Sequence, residues 1–211
     1  MITPTALAEA TAALQAGTAV VVPNPAPLTC VVTATTPEAV NRAKGRPVDQ
    51  PVALWITDDV RWAEFAALTD LDAPTLDFAR ALLLEEQLTL LLPVASVPPW
   101  VAPATRDGHA LLFGTRWLPL APLFTGIGTL HVSSANRTGQ PPAATTAEAR
   151  AAFPDPVHVL HDPDPAPGPR SATTTLRLAR GGALTHTRSG AQDQGSPEAY
   201  VDFVREKFFL G

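Results

Sequence analysis

A single cysteine, Cys30, stands in a chain of 211 residues, so no disulfide can close within it and no cysteine-rich zinc site can be built. Lysine is almost as scarce. Lys44 and Lys207 are the only two, and the remaining positive charge is carried by arginine. A lysine kept inside such a chain points to a place that wants a compact ammonium, as phosphate sites often do. Apolar runs such as Leu88 to Val94 are too short to span a bilayer. The N-terminal Met1-Ile2-Thr3-Pro4 carries neither a charged leader nor a long apolar stretch, so no secretory signal and a cytoplasmic location are expected. Dinucleotide (GxGxxG), P-loop (GxxxxGK[ST]) and nucleophile-elbow (GxSxG) motifs do not occur. The 5 histidines show no i, i+4 helical pairing, so no metal site is expected, and the 4 tryptophans are not spaced as a base-stacking platform.

What is present is enough for a core: 45% of the residues are hydrophobic. A net charge of -5 argues against non-specific coating of nucleic acid, so any basic site must be local. The chain reads as one domain over 1–211 in which helix and strand alternate. Thr3 and Pro4 cap and open a helix to Gln15, and strands are expected over Thr18–Pro23 and Thr29–Ala34. Thr36-Pro37-Glu38 starts a short helix that delivers the chain to Lys44. A strand over Val52–Ile56 precedes helices capped by Asp58 or Asp59 and by Asp72, and Leu88–Pro93 reads as the next strand. Ser96 to Asp107, with its prolines, reads as a surface loop before a strand at Ala110–Phe113. A short helix near Pro119–Phe124 and a strand over Thr129–Ser133 follow. Thr145 with Glu148 has capping-box spacing, and Val157–Leu160 is a further strand. Thr173–Leu178 and Leu184–Arg188, joined across Gly181-Gly182, read as a hairpin, and Ser196-Pro197-Glu198 opens a last helix at about 197–208.

Two polar stretches carry the chemistry. In Lys44-Gly45-Arg46-Pro47 two permanent cations lie two residues apart around a glycine; in an extended or turned segment they point the same way and clamp an anion. The second stretch, Ser134-Ala135-Asn136-Arg137-Thr138-Gly139-Gln140-Pro141-Pro142, follows a strand and offers hydroxyl and amide groups.

Together these stretches resemble the KxR and SxN motifs of the Sua5/YciO/YrdC family. Gly17 to Pro23, Thr36-Pro37-Glu38-Ala39-Val40, and the pair Thr174-Thr175-Leu176-Arg177 with Arg188-Ser189-Gly190-Ala191 are similar to further family segments, so the resemblance covers about 5–191. It implies an α/β fold: a twisted open mixed sheet with flanking helices and a large concave cleft. It also implies threonylcarbamoyl-AMP synthase chemistry, in which threonine, bicarbonate and ATP react with magnesium to serve a tRNA modification. Carried over, Lys44 and Arg46 are the catalytic cations, and Lys44, Arg46, Ser134, Asn136, Thr174 and Arg188 contact the nucleotide. The acceptor half departs from the family. Asn24, Ala26 and Leu28 stand where hydroxyls and an aromatic ring are expected, Phe113 replaces an arginine, Val132 replaces a hydroxyl residue, and Asp49 takes a position near the amino acid. Three readings result: an adenylate-forming nucleotidyltransferase acting on ATP and a different small acid or carbamoyl acceptor, a true threonylcarbamoyl-AMP synthase, or a non-catalytic module binding nucleotide or double-stranded RNA. In the last, Arg42, Lys44, Arg46, Arg137, Arg177 and Arg188 line the RNA surface.

Overall fold

The computed structural model describes residues 2–208. In chain order its elements are α1 (Pro4–Gln15), β1 (Val20–Val22), β2 (Val31–Ala34), α2 (Pro37–Lys44), β3 (Ala53–Trp55), α3 (Asp59–Ala66), α4 (Ala73–Leu84) and β4 (Thr89–Pro93). Then come β5 (Thr105–Arg106), β6 (His109–Phe113), α5 (Ala121–Phe124), β7 (His131–Ser134), α6 (Thr146–Ala152), β8 (His158–Val159), β9 (Thr175–Leu178), β10 (Leu184–Arg188) and α7 (Pro197–Phe208). The helices start where short polar side chains take up the orphan N–H groups of the first turn. Thr3 accepts from Ala6 N, Thr36 from Ala39 N, Asp58 from Arg61 N, Asp72 from Thr75 N and Thr145 from Glu148 N. The expected alternation of helix and strand in an α/β chain with a mixed sheet and flanking helices is found.

The differences from the sequence reading are local. The Ser96–Asp107 segment is not all loop: it holds a 3-10 turn at Ala102–Ala104 and the short strand β5, which pairs with β6. The helix expected near 119–124 divides into a 3-10 turn, Leu118–Leu120, and α5. Glu148 Oε2 accepts from Ala144 N, one residue before the cap, so the reciprocal half of the capping box is displaced. Lys44 is the last residue of α2 and Gly45 turns the chain left-handed, so of the extended or turned geometries expected for Lys44 and Arg46 the turned one is found.

The described residues form two compact units. One comprises residues up to Ala53 together with Arg116–Ala172. Within it β1 pairs antiparallel with β2 and parallel with β8, and β2 pairs antiparallel with β7. The Val31↔Ser134 register places Ser134 where β7 leaves the sheet. Val21, Val32, Val40, Ala43, Ala135, Ala149 and Phe153 share one core cluster. An isolated helix of 8 residues such as α2 is marginal in water. Its Val40 is fully buried, and each such side chain stabilises by roughly 1.5–3 kcal/mol, which decides the matter.

The second unit comprises Leu54–Thr115 with the residues from Thr173 onward. Here β6 pairs parallel with β3 and antiparallel with β4, β4 pairs parallel with β9, and β9 pairs antiparallel with β10. Leu90, Leu92, Leu112, Leu176 and Leu178 pack in one cluster with Phe65, Phe78, Leu82, Tyr200 and Val204. Gly114 is required by close approach: a Cβ there would lie 2.1 Å from the carbonyl oxygen of Leu83.

Candidate functional site

The first unit holds the two motif stretches. α2 ends because Gly45 turns left-handed at φ 65, with its N–H donating to Arg42 O at 3.0 Å and Arg46 N–H donating to Asn41 O at 3.1 Å. The Lys44 side chain is 3% exposed. Its ammonium donates to Ser134 O at 2.5 Å, Asn136 O at 3.0 Å and Asn136 Oδ1 at 2.8 Å, with Ser134 Oγ at 3.4 Å. Ser134 Oγ in turn donates to Asn136 Oδ1 at 2.6 Å, and Asn136 Nδ2 donates to Gln140 O at 2.8 Å and Arg137 O at 3.1 Å. From the other side, Thr138 donates to Lys44 O through its N–H at 3.0 Å and its hydroxyl at 3.2 Å. Every group around the ammonium is an acceptor, and only the charged form has three protons to give them. Burial pushes the Lys44 pKa down to about 7, with the charge of Arg46 adding to the effect. The ring of oxygens opposes that push.

Arg46 faces elsewhere. Its Nε donates to Asn41 Oδ1 at 2.6 Å and its Nη2 to Pro51 O at 3.3 Å, which leaves Nη1 without a partner among the described residues. Asn41 is fully buried and its Nδ2 donates at 2.8 Å to both Val48 O and Gln50 O, so one helical amide holds the 45–51 loop. Asn41 was not among the predicted site residues. A signal for it exists: it is a polar residue on the α2 face that also carries Val40 and Lys44. Arg137 was expected only as part of a basic lining, and its guanidinium lies over Gly45, 2.7 Å from where a Cβ would be.

The predicted acceptor positions are spread out. Asn24 is 2% exposed; its Nδ2 donates to Thr29 O at 2.8 Å, and its Oδ1 finds no hydrogen-bond partner among the described residues. Ala26 is exposed at the tip of a turn closed by Leu28 N–H donating to Pro25 O at 2.9 Å, and Leu28 itself is buried. Arg170 pins that turn, donating to Asn24 O at 3.0 Å and Leu28 O at 2.8 Å. Asp49 is exposed on the 45–51 loop, and Val132 is buried in β7 opposite Thr33. Phe113 belongs to the second unit, where its ring meets Trp55 edge-on at 5.2 Å.

Thr174 and Arg188 also lie in the second unit. Thr174 is fully buried and its hydroxyl donates to Asp193 Oδ1 at 2.6 Å, while its N–H donates to Gln192 Oε1 at 2.9 Å. Asp193 also takes His186 Nε2 at 3.1 Å and Gly190 N–H at 3.3 Å. Burial raises its pKa, but hydrogen bonds from Thr174, His186 and Ser189 outweigh this and hold the carboxyl below its ordinary value. Arg188 Nη2 donates to Thr173 O at 2.9 Å, and burial lowers the guanidinium's pKa. Asp193 was not anticipated; nothing local marks it as the partner of a threonine 19 residues earlier, just ahead of β9.

Magnesium prefers oxygen ligands that include one or two carboxylates alongside phosphates. The oxygens around Lys44 all face its ammonium and none is a carboxylate, so these residues do not fit a resident magnesium. No group of three or more His, Cys, Asp or Glu that could hold a metal ion occurs among the described residues. No helix among them is long and apolar enough to cross a membrane.

No curated protein matches the sequence. The fold is similar to the crystal structure of P. abyssi Sua5 complexed with L-threonine, at TM-score 0.66 and 20% identity over 87% of this chain and 54% of that one. It is also similar to E. coli YciO, at TM-score 0.64 and 14% identity over 89% and 90% of the two chains. A third likeness is to full-length HypF in its phosphate- and nucleotide-bound form, at TM-score 0.63 and 17% identity over 89% of this chain and 29% of that one. The chain thus spans about half the length of the P. abyssi Sua5 it resembles. At these identities the likeness is one of fold. The family profile for Sua5, YciO and YrdC, described as "Telomere recombination", matches residues 12–190, most of the sequence, and the chain therefore belongs to the Sua5/YciO/YrdC family.

Proposed function

We propose that the protein binds ATP and forms an adenylate in the manner of threonylcarbamoyl-AMP synthases, on an acceptor other than threonine. The observation that carries this reading is the convergence of Lys44, Ser134 and Asn136 on one point of the first unit. In the proposed reaction an oxygen of the acceptor acid or carbamate bonds to the α-phosphorus of ATP as the bond to the β-phosphate oxygen breaks, and pyrophosphate leaves. No protein nucleophile is involved. The protein's part is to fix the triphosphate and offset charge on the leaving group. Arg46, with Nη1 unengaged, is the group suited to reach a phosphate oxygen. Lys44 serves from behind, holding the 134–136 backbone and supplying a buried positive charge. Thr174 and Arg188 are assigned to the nucleotide by family resemblance alone.

A changed acceptor follows from side-chain chemistry. Threonine presents a carboxylate, an ammonium and a hydroxyl, and Ala26, Leu28, Phe113 and Val132 offer no side-chain hydrogen bond. Leaving each such polar group unpaired costs on the order of 1–3 kcal/mol. The test is pyrophosphate release from ATP across a panel of small acids, amino acids and carbamoyl compounds, with Arg46→Gln as control. Release that depends on one acceptor and falls at least tenfold in the variant supports the reading. Robust threonylcarbamoyl-AMP at sub-millimolar threonine would overturn the changed acceptor. Absence of ATP binding by calorimetry would overturn the whole.

A further inference from the structure

The first unit has a pocket at the start of β1, five residues ahead of Asn24. Its volume is about 300 Å³ and its lining includes Ala19, Ala39, Arg42, Ala43, Arg137 and Asp155. Two features bear on what it can hold. The first is that opposite charges face one pocket without meeting. Arg61, Arg80 and Arg180 pair with carboxylates, and Arg46, Arg170 and Arg188 donate to backbone carbonyls. Arg42 and Arg137, like Arg106, Arg150, Arg177 and Arg205, make neither kind of contact through their guanidinium groups among the described residues, but these two share one pocket with Asp155, which is in no ion pair there. Two guanidinium groups lining the same space repel each other, and an anion between them relieves that repulsion. The second is that the pose of Arg137 is built in. Its guanidinium rests over Gly45, where any Cβ would come within 2.7 Å of Nη2, so the glycine that ends α2 also makes room for the arginine.

We propose that this pocket binds a small organic anion, its carboxylate or phosphate head between Arg42 and Arg137, its stem against Ala19, Ala39 and Ala43, and a hydrogen-bond donor turned toward Asp155. A pocket of this volume suits a compact molecule rather than a nucleotide. The guanidinium fork matches either head group, because both present paired oxygens. The site is separate from the Lys44 centre, yet adjoins it. Arg137 O accepts from Asn136 Nδ2, and Gly45 follows Lys44 directly, so a ligand that draws Arg137 toward the pocket acts on both motif stretches.

The test is calorimetric titration of the full chain with ethyl phosphate, phosphoethanolamine and the carboxylate propionate, at constant ionic strength. Saturable binding is expected, with phosphoethanolamine tightest, weakened at least tenfold by Arg42→Gln and by Arg137→Gln. Asp155→Asn is expected to remove the advantage of phosphoethanolamine over ethyl phosphate. Propionate binding as tightly as ethyl phosphate assigns the site to carboxylates, and a clear preference for ethyl phosphate assigns it to phosphate esters. Binding of these probes is expected whether or not the protein binds ATP, which separates this site from the nucleotide reading. Absence of saturable binding by any of the three up to ~10 mM, or binding untouched by both arginine changes, would overturn the proposal.

Discussion

Replacing Lys44 by methionine keeps most of the side chain's volume and removes its charge, so it isolates what the ammonium contributes. Three acceptors, Ser134 O, Asn136 O and Asn136 Oδ1, lose the ammonium as donor, and Asn136 Oδ1 keeps Ser134 Oγ. Hydrogen bonds to a charged group contribute roughly 1.5–3 kcal/mol each, so the gross loss is roughly 4.5–9 kcal/mol. Against this stands the cost of burying the ammonium. The fall in pKa from 10.5 to about 7 corresponds to roughly 5 kcal/mol at about 1.36 kcal/mol per pH unit. The difference leaves Lys44→Met less stable by about 2 kcal/mol, or a Tm lower by roughly 4–8 °C in a chain of this size. Urea denaturation at pH 7 reads the difference directly, provided the slope against denaturant is unchanged. A double-mutant cycle with Asn136→Ala is expected to give a coupling of about 1–2 kcal/mol, because both changes break the same contact. A Lys44→Met protein as stable as the parent, with coupling below ~0.3 kcal/mol, would refute the reasoning: the ammonium's burial would then cancel its bonds, and the motif stretches would meet without its help.

Lys44 also predicts a pH dependence. Because its folded pKa of about 7 lies below the 10.5 of the unfolded chain, the unfolded state holds more protons between those values. The stability of the parent relative to Lys44→Met is therefore expected to rise from pH 7 toward 10.5; a flat difference across that window would show that the lysine stays charged when buried. Gly45→Ala is expected to cost about 1–2 kcal/mol from its positive φ and its approach to Arg137, and Arg137→Ala is expected to restore only the part due to contact; full restoration in urea melts would deny the backbone strain. Asp193→Ala leaves Thr174 Oγ1, Gly190 N–H and the His186 ring without their acceptor, and is expected to destabilise by about 2–3 kcal/mol. Because the Asp193 carboxyl is held below its ordinary value of 3.8, that contribution is present above pH 3.8 and lost as the pH falls through the lower folded value; a parent and variant that differ equally at pH 3 and pH 6 would refute it.

Chain-local chemistry was legible from the residues alone. Thr3-Pro4, Thr36-Pro37, Asp72-Ala73-Pro74, Thr145 and Ser196-Pro197 start helices where they were expected to, because a cap and its N–H partner lie within three residues of each other. The β9–β10 hairpin was legible for the same reason, its turn being marked by adjacent glycines. The family motifs were readable as strings, and so the polar stretches at 44–46 and 134–136 were named together.

Only tertiary structure decided what those side chains do. Lys44 meets Ser134 and Asn136 across separations of 90 and 92 residues, and its emergence from a helix rather than a strand turns it inward, away from Arg46. Arg170 reaches back 146 residues to pin the turn at Asn24, and Asp193 takes the hydroxyl of Thr174, a residue on another strand's approach. The parallel pairing of β4 with β9 is likewise invisible in either strand's composition. A side chain's local sequence sets its chemistry and its backbone direction. Its charge state, its partner and its access to a ligand depend on which distant oxygens, and how little water, the packed chain leaves around it.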